Sequence, residues 1–237
     1  MSNSYFQFKQ FRIEQERCAM KVSTDACIQG AWTPVNSFVK NVLDIGAGTG
    51  LLSLMLAQRS KAIKIDAIEI DPSCAAQAIE NIEASHWKEQ INVFNEDARN
   101  FSSVKKYDLI ICNPPFFINS LLGDKTERNI ARHNLFLSFE KLFEVIKRNL
   151  SDQGYACVML PVTEHQHWKN LLKGNSWNIY HQLNVIPRIN QKCNRIVSLC
   201  SKDFSGQVKN EELVIRNFDD SYTPDFTKLM QPYYLKL

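Results

Sequence analysis

The stretch from residue 42 to residue 57 constrains the fold of this chain more than any other. An apolar run of strand type at 42–45 leads into three glycines, Gly46, Gly48 and Gly50. The apolar residues that follow, 51–57, predict a helix. A strand, a glycine turn and a helix in this order are typical of parallel α/β folds, which bind ligands beside such turns.

The remaining chain alternates between apolar runs and helical patterns in the same way. Alternation of this kind predicts a doubly wound, mostly parallel sheet with helices on both faces. The expected helices are 26–32, 51–57, one that begins at 72, 135–150 and 163–173. The expected strands number seven, the last two forming an antiparallel pair at the end of the sheet: 42–45, 64–71, 91–95, 107–112, 155–160, 177–186 and 195–202. Residues 204–220 are predicted to form a turn or a short strand.

Acidic residues at the ends of the first three strands are candidates for binding a nucleotide-like cofactor. The G-x-G-x-G spacing differs from the G-x-G-x-x-G of dinucleotide folds. Asp44, before the first glycine, could accept hydrogen bonds from a cationic amino acid group or could brace the loop. Glu69 follows the glycines by about twenty residues, where a carboxylate can bind ribose hydroxyls. Asp97 could accept a hydrogen bond from an adenine amino group, and Asp71 is expected to cap a helix with Pro72 in its first turn.

The first 40 residues precede the predicted sheet. Thr24 or Asp25 is expected to cap the helix over 26–32. Because a helix N-terminus favours a carboxylate, residues 21–25, with Lys21 and Thr24 as contacts, are predicted to close over that end of the cofactor. The alternative is a packing segment that covers the sheet.

The most specific signal is Asn113-Pro114-Pro115-Phe116, at the end of the fourth strand. An exocyclic aromatic amine is a poor nucleophile, because its lone pair is delocalised into the ring. The Asn113 side-chain oxygen and the Pro114 carbonyl can accept both of its N–H groups, and the prolines hold these acceptors in place. Phe116, or in reserve Phe117, offers a face on which a base can stack. Together with the cofactor site, this turn predicts methyl transfer from S-adenosylmethionine to an amino group.

Composition sets limits on the class of protein. The 237 residues, 44% of them hydrophobic, predict one domain, with 1–40 covering a catalytic core at 41–237. No apolar run approaches the ~20 residues of a membrane span, and the start lacks a signal peptide, so a cytoplasmic protein is expected. Seven scattered cysteines without a C-x-x-C pair predict reduced thiols and no metal site, and His165 and His167 are expected on a helix surface.

Charge is less decisive. The net charge is only +3, but six Lys or Arg and no acid lie between 165 and 202. Such a stretch could attract phosphates or could be an ordinary solvated face.

The motifs together resemble a known family. The glycine turn and the Asn-Pro-Pro-Phe turn look like class I methyltransferases with a Rossmann-like fold. The chain as a whole resembles the bacterial tRNA1(Val) (adenine-N6)-methyltransferases. The resemblance implies that S-adenosylmethionine is the cofactor and that N6 of adenine 37 in tRNA1(Val) is the target, presented by the anticodon stem–loop. Further residues carry the resemblance: the F-x-F-K-Q-F opening, M-K-V-S-T-D-x-C, Gly30-Ala31-Trp32, Tyr222-Thr223-Pro224 and Tyr233-Tyr234-Leu235. Phe116 stands where related enzymes often have tyrosine, which keeps the stacking face.

Other functions share parts of this pattern. Protein glutamine-N5 methyltransferases use a similar turn, but they resemble one another in a helical domain for which 40 residues are too few. Guanine-N2 methylation of ribosomal RNA and adenine-N6 methylation of DNA use the same chemistry, and the DNA enzymes usually need a larger recognition domain. A non-catalytic RNA-binding module would not need Asn113 or the three glycines.

For the oligomeric state of the protein, a monomer is favoured.

Overall fold

The computed structural model describes residues 3–114, 137–202 and 206–237. The predictions made for Phe116, Phe117 and the polar segment 118–133 lie outside these residues. Ten strands, six α-helices and one short 3-10 helix, Lys88–Gln90, are assigned within the described part of the chain. The strands are β1 Tyr5–Gln7, β2 Arg12–Glu14, β3 Asn41–Ile45, β4 Lys64–Glu69, β5 Ile91–Asn95, β6 Tyr107–Cys112, β7 Leu150–Pro161, β8 Trp177–Arg188, β9 Arg195–Lys202 and β10 Lys209–Arg216. The helices are α1 Thr24–Trp32, α2 Leu51–Ala57, α3 Pro72–Glu83, α4 Phe139–Asn149, α5 Val162–Gly174 and α6 Pro224–Met230.

The central sheet has the strand order β10-β8-β9-β7-β6-β3-β4-β5. All neighbouring strands are parallel except β9, which is antiparallel to both β7 and β8. From β3 the chain builds outward through β4 and β5, and from β6 it builds in the other direction. The direction in which strands are added reverses between β3 and β6, so the carboxyl ends of these two neighbouring strands form a topological switch point. The predicted Rossmann-like α/β class is therefore confirmed.

Two details of the predicted sheet are wrong. The central sheet has eight strands instead of seven, because the segment 204–220, predicted to be a turn or a short strand, contributes β10 beside β8. The antiparallel strand β9 also lies between β7 and β8, so it is not at the end of the sheet. The first half of β10 is polar, as is common in an edge strand, and an apolar pattern could not reveal it.

Local signals explain where the helices begin. The Asp71 side chain accepts a hydrogen bond from Cys74 N at 2.8 Å, and Pro72 opens α3, as predicted. The cap of α1 was predicted wrongly: Ser23, and neither Thr24 nor Asp25, accepts the hydrogen bond from Ala26 N. A hydroxyl one residue earlier leaves Thr24 inside the first turn.

Hydrophobic residues fill both faces of the sheet. On one face α1, α2, α6 and the β1–β2 hairpin pack together, with Leu54, Met55 and Phe226 buried among them. On the other face α4 and α5 bury Ile146 and Trp168. The C-terminal tail docks on the body as predicted: the Tyr233 hydroxyl donates to the carbonyl of Met55 at 3.2 Å. No helix in the described ranges is long and apolar enough to cross a bilayer.

The prediction that all cysteines are reduced thiols is wrong for one pair. Cys18 and Cys74 form a disulfide, and the other five cysteines are free. The two partners are 56 residues apart in sequence, and only the fold brings the segment after β2 against the first turn of α3. Cysteine spacing alone carried no sign of this pairing.

Candidate active site

A cavity of about 680 Å³ opens at the carboxyl ends of β3, β4, β5 and β6. Its wall combines the glycine turn, the ends of β4 and β5, Asn113 after β6, and residues that follow β2. The size is typical of a site for a small molecule or cofactor. The topological switch point of the sheet is therefore also the place where polar side chains from four strand ends converge.

The glycine turn shapes one side of this cavity. Gly46 and Gly48 have φ angles of 74° and 57°, in the left-handed region that disfavours other residues. A Cβ at either position would meet no atom within 4 Å, so the need for glycine here is conformational. The amides of Gly46 and Ala47 both donate to the carbonyl of Ile68 at 2.9 Å, which ties the turn to the end of β4.

Glu69 is held on the wall by the backbone of the glycine turn and of residue 71. The residue is 8% exposed, and its carboxylate accepts hydrogen bonds from Gly48 N and Asp71 N, each at 2.9 Å. Each carboxylate oxygen can accept more than one hydrogen bond, so Glu69 retains capacity for a ligand hydroxyl. The predicted role in binding ribose stays a prediction, and the position fits it.

Asp97 also lies on the wall, with a partner that the sequence did not single out. Arg99 Nε donates to both Asp97 oxygens, at 3.0 and 2.8 Å. These hydrogen bonds from Arg99 lower the pKa of Asp97, so the carboxylate stays ionised. An ionised acceptor at the end of β5 suits an adenine amino group, and this role stays a prediction too.

Asp44 does not line the cavity, as a residue in contact with the cofactor would have to. It is fully buried behind the turn, and its Oδ2 accepts a hydrogen bond from Ser53 Oγ at 2.7 Å. Burial raises its pKa to about 7. Of the two interpretations of Asp44, this placement favours the one in which it braces the loop. Gly50 caps α2 and is likewise absent from the cavity wall.

Residues 17–23, which we call the strap, cover part of the cavity. Lys21 is exposed on the wall, and Ser23 and Ala26 bring the start of α1 to it, as the predicted closure requires. Thr24 is exposed and does not line the cavity. Sequence reasoning missed Arg17 on the wall and did not single out Ser23 within the predicted segment 21–25, because a loop that precedes a helix has no periodic pattern.

Asn113 faces the cavity next to the glycine turn. Cys112 lies opposite Ile45 in the pairing of β6 with β3, so Asn113 and Gly46 are the next residues of adjacent strands. The Asn113 Oδ1 atom is buried and has no hydrogen-bond partner among the residues that the structure describes. Pro114 follows and is buried. Such an unpartnered acceptor is costly unless a ligand supplies its donor.

Two other predicted features have different outcomes. His165 is buried on α5, and this burial lowers its pKa to about 4. His167 is exposed. The prediction of a surface position was therefore wrong for His165. Within the described ranges no group of three potential ligands could hold a metal.

The basic stretch 165–202 is partly neutralised. Arg188 pairs with Asp220, and Arg195 pairs with Asp25 at 3.1 Å. Its attraction for phosphates is thereby weaker than the count of its charges suggests.

Comparison with known proteins identifies the family. Residues 32–159 match the family model described as the methyltransferase small domain. Solved structures support the fold: a protein of Agrobacterium tumefaciens described as a predicted O-methyltransferase superimposes with a TM-score of 0.70 at 14% identity, over 88% of this chain and 96% of that one.

Curated relatives that carry the name tRNA1(Val) (adenine(37)-N6)-methyltransferase are similar to this chain over all or nearly all of their length. The protein of Tolumonas auensis is 40% identical, covering 100% of this chain and 99% of the relative. Those of Trichodesmium erythraeum and Bacteroides fragilis are each 41% identical, with 100% of both chains covered. This chain therefore belongs to the tRNA1(Val) (adenine(37)-N6)-methyltransferase family.

Proposed function

We propose that this protein transfers a methyl group from S-adenosylmethionine to N6 of an adenine in tRNA, at position 37 of tRNA1(Val). The observation that carries the proposal is the buried, unpartnered Oδ1 of Asn113 on the wall of a cavity beside the glycine turn. A hydrogen-bond acceptor in that place suits an amino group that must be held and made more nucleophilic.

The cavity wall fits the cofactor part by part. Asn113, the glycine turn, Glu69 and Asp97 follow the strand order β6-β3-β4-β5. Three inter-strand spacings of about 4.8 Å place these groups along roughly 14 Å. Glu69 would hold the ribose hydroxyls, Asp97 the adenine amino group, and the strap with the start of α1 the amino acid end. The methyl group would then lie at the Asn113 end of the row.

For this reaction the protein mainly has to position the amine and to provide hydrogen-bond acceptors for its N–H groups. When bound, S-adenosylmethionine supplies a methyl group on a sulfonium sulfur, which leaves as a neutral thioether once the amine nitrogen has taken the methyl. Asn113 Oδ1 and the Pro114 carbonyl accept the two N–H groups, which directs the nitrogen lone pair toward the methyl. Positive charge grows on that nitrogen during transfer, and fixed acceptors stabilise it. One N6 proton then passes to water.

Further parts of the proposal concern the setting of the reaction. We place the enzyme in the cytoplasm, as a monomer that binds the anticodon stem–loop and uses no metal. Phe116, as the base-stacking residue, belongs to the same proposal. Family membership over the full chain is the main support for a tRNA substrate.

A methylation assay with defined RNAs tests this function. The protein and labelled S-adenosylmethionine are incubated with a tRNA1(Val) transcript, and with a matched transcript that has guanine at position 37. Total RNA, DNA and release factor are tested in parallel, and the products are digested and identified. We expect N6-methyladenosine from the first transcript and from the tRNA in total RNA, and none from the guanine-37 transcript, DNA or release factor. Label in 2-methylguanosine or in glutamine would overturn the proposal in favour of a ribosomal RNA or a release factor enzyme.

A further inference from the structure

Gln29 makes hydrogen bonds at the base of the catalytic turn. It lies on α1 and has no solvent exposure. Its side-chain Nε2 donates to the carbonyl of Cys112 at 2.9 Å and to that of Cys157 at 3.3 Å. These carbonyls belong to the last residue of β6 and to an interior residue of β7, so one amide group bridges two central strands.

The first of these carbonyls is directly linked to the active site. The carbonyl of Cys112 and the backbone nitrogen of Asn113 belong to the same planar peptide group. A hydrogen bond to this carbonyl therefore restrains the position of the Asn113 backbone nitrogen. The paired register of β6 with β7 ends at Cys112, which lies opposite Val158. Residues 113 and 114, the described residues that follow, are not paired with β7, and Gln29 supplies a tether at this point.

The oxygen of the Gln29 side-chain amide does not add a stabilising hydrogen bond. Its Oε1 is buried and has no hydrogen-bond partner among the described residues. A buried, unpartnered oxygen is unfavourable, and leucine would fill a similar volume without one. Fold stability alone therefore does not explain a glutamine here, whereas a need for its Nε2 donor does.

We propose that Gln29 is a positioning residue for methyl transfer, which holds the Cys112–Asn113 peptide group so that Asn113 Oδ1 faces the target amine. The proposal rests on the function proposed above. Gln29 is absent from the cavity wall, so it acts through Asn113 and does not touch the cofactor. Small displacements of a catalytic group can lower turnover by about 100-fold, and binding need not change with it.

The test compares Gln29→Leu with Thr33→Val. Thr33 is equally buried, and its hydroxyl contacts the carbonyl of Gln29 and the sulfur of Cys157 without reaching Cys112. In Gln29→Leu we expect kcat to fall by at least ~10-fold while the Kd for S-adenosylhomocysteine stays within about 2-fold. In Thr33→Val we expect kcat within about 2-fold of the wild type. Equal losses in both variants, or a matching loss of cofactor affinity, would overturn the proposal.

Gln29→Glu provides a second variant of almost the same size. A protonated carboxyl can donate to the carbonyl of Cys112, whereas an ionised one cannot. Turnover relative to wild type should therefore recover as the pH is lowered, while the Kd for S-adenosylhomocysteine stays constant; a purely structural role would change both together. A pH-independent ratio would contradict the proposal.

A readout without RNA separates this proposal from the proposed function. The side-chain amide signal of Asn113 in the complex with S-adenosylhomocysteine is followed by NMR and identified by its loss in Asn113→Ala. Gln29→Leu should shift or broaden this signal, and Thr33→Val should leave it unchanged. If the wild type fails to methylate tRNA, the proposed function falls, and this signal still decides the role of Gln29. An unchanged signal in Gln29→Leu would overturn that role.

Discussion

Asn113 is the residue on which the chemistry depends most directly. Replacing it with alanine removes the unpartnered Oδ1 acceptor and leaves the Pro114 carbonyl and the cofactor wall in place. We expect turnover to fall by about 100-fold or more, since pre-organised groups of this kind contribute that much. Affinity for S-adenosylmethionine, measured by calorimetry, should stay within a few-fold.

Asn210→Ala is the matched control, because Asn210 lies on the exposed edge strand β10, and it should have wild-type turnover. If Asn113→Ala lost turnover and cofactor affinity together, Asn113 would be holding the site together without taking part in the chemistry.

Asp44 makes the stability of the ligand-free protein depend on pH. Burial raises the pKa of Asp44 to about 7, from an ordinary value of 3.8. The neutral carboxyl is therefore favoured in the folded state, and its stabilising contribution is fully present below pH ~4. This contribution is lost as the pH rises through 7, because the unfolded state ionises first. The loss is on the order of a few kcal/mol.

Asp44→Asn should remove this dependence. The melting temperature of the variant, relative to wild type, is expected to rise between pH 4 and pH 7 and to level off above it. Scanning calorimetry of both proteins across this range measures the difference. A difference that does not change with pH would show that Asp44 titrates normally.

At the scale of elements, the strap is joined to α3 by more than one kind of contact. The Cys18–Cys74 disulfide and the Arg17–Glu80 ion pair both reach this helix. Next to the strap, Asn81 exchanges two hydrogen bonds of 2.9 Å with the backbone of Glu14 in β2. A disulfide typically stabilises a fold by about 2–4 kcal/mol, chiefly by constraining the unfolded chain.

Reduction should therefore lower the melting temperature without releasing the hairpin that precedes the strap. We expect the Cys18→Ser/Cys74→Ser double variant to melt at the temperature of the reduced wild type. Cys193→Ser, which removes a free thiol, should behave as wild type. A melting temperature that is the same with and without reductant would mean that the two thiols are unpaired in solution.

At the scale of the whole molecule, residues 1–40 and 41–237 are predicted to unfold as one domain. The N-terminal hairpin is tied to the tail by a backbone hydrogen bond of 2.8 Å from Lys9 N to the carbonyl of Tyr233. Phe8 and Phe11 are buried in the same core as α1 and α2. Calorimetry should show one cooperative transition, and a fragment 41–237 should melt at a lower temperature. Two separate transitions would contradict this organisation.

Much of the architecture follows from local patterns in the sequence. The apolar runs of β3 and β6 predict buried parallel strands, because strands covered on both faces carry few polar residues. The three glycines predict a turn with positive φ angles, and Asp71 with Pro72 predicts the start of α3. These are short-range effects of backbone conformation and hydrogen bonding, so neighbouring residues suffice to specify them.

Other features depend on contacts between residues that are distant in sequence. The burial of His165 and the Cys18–Cys74 disulfide were not predicted, and the place of β10 beside β8 could not be predicted from its own residues. Asp44 and Glu69 illustrate the difference, since both are acids at strand ends. The register places both side chains on the same face of the sheet, since Asp44 lies opposite Ala67. Asp44 is covered by Ser53 of α2, whereas Glu69 ends its strand and reaches the cavity wall.

The sequence by itself determined the α/β alternation, the glycine turn and the Asn113 turn, because each is encoded within a few consecutive residues. Only the tertiary structure decided which polar groups meet at the cavity, that Ser23 rather than Thr24 reaches its wall, and that Gln29 contacts the base of the catalytic turn. These outcomes depend on how α1 packs against the sheet, which brings together groups more than 80 residues apart in sequence. Contacts over such distances are set by the packing of the whole core.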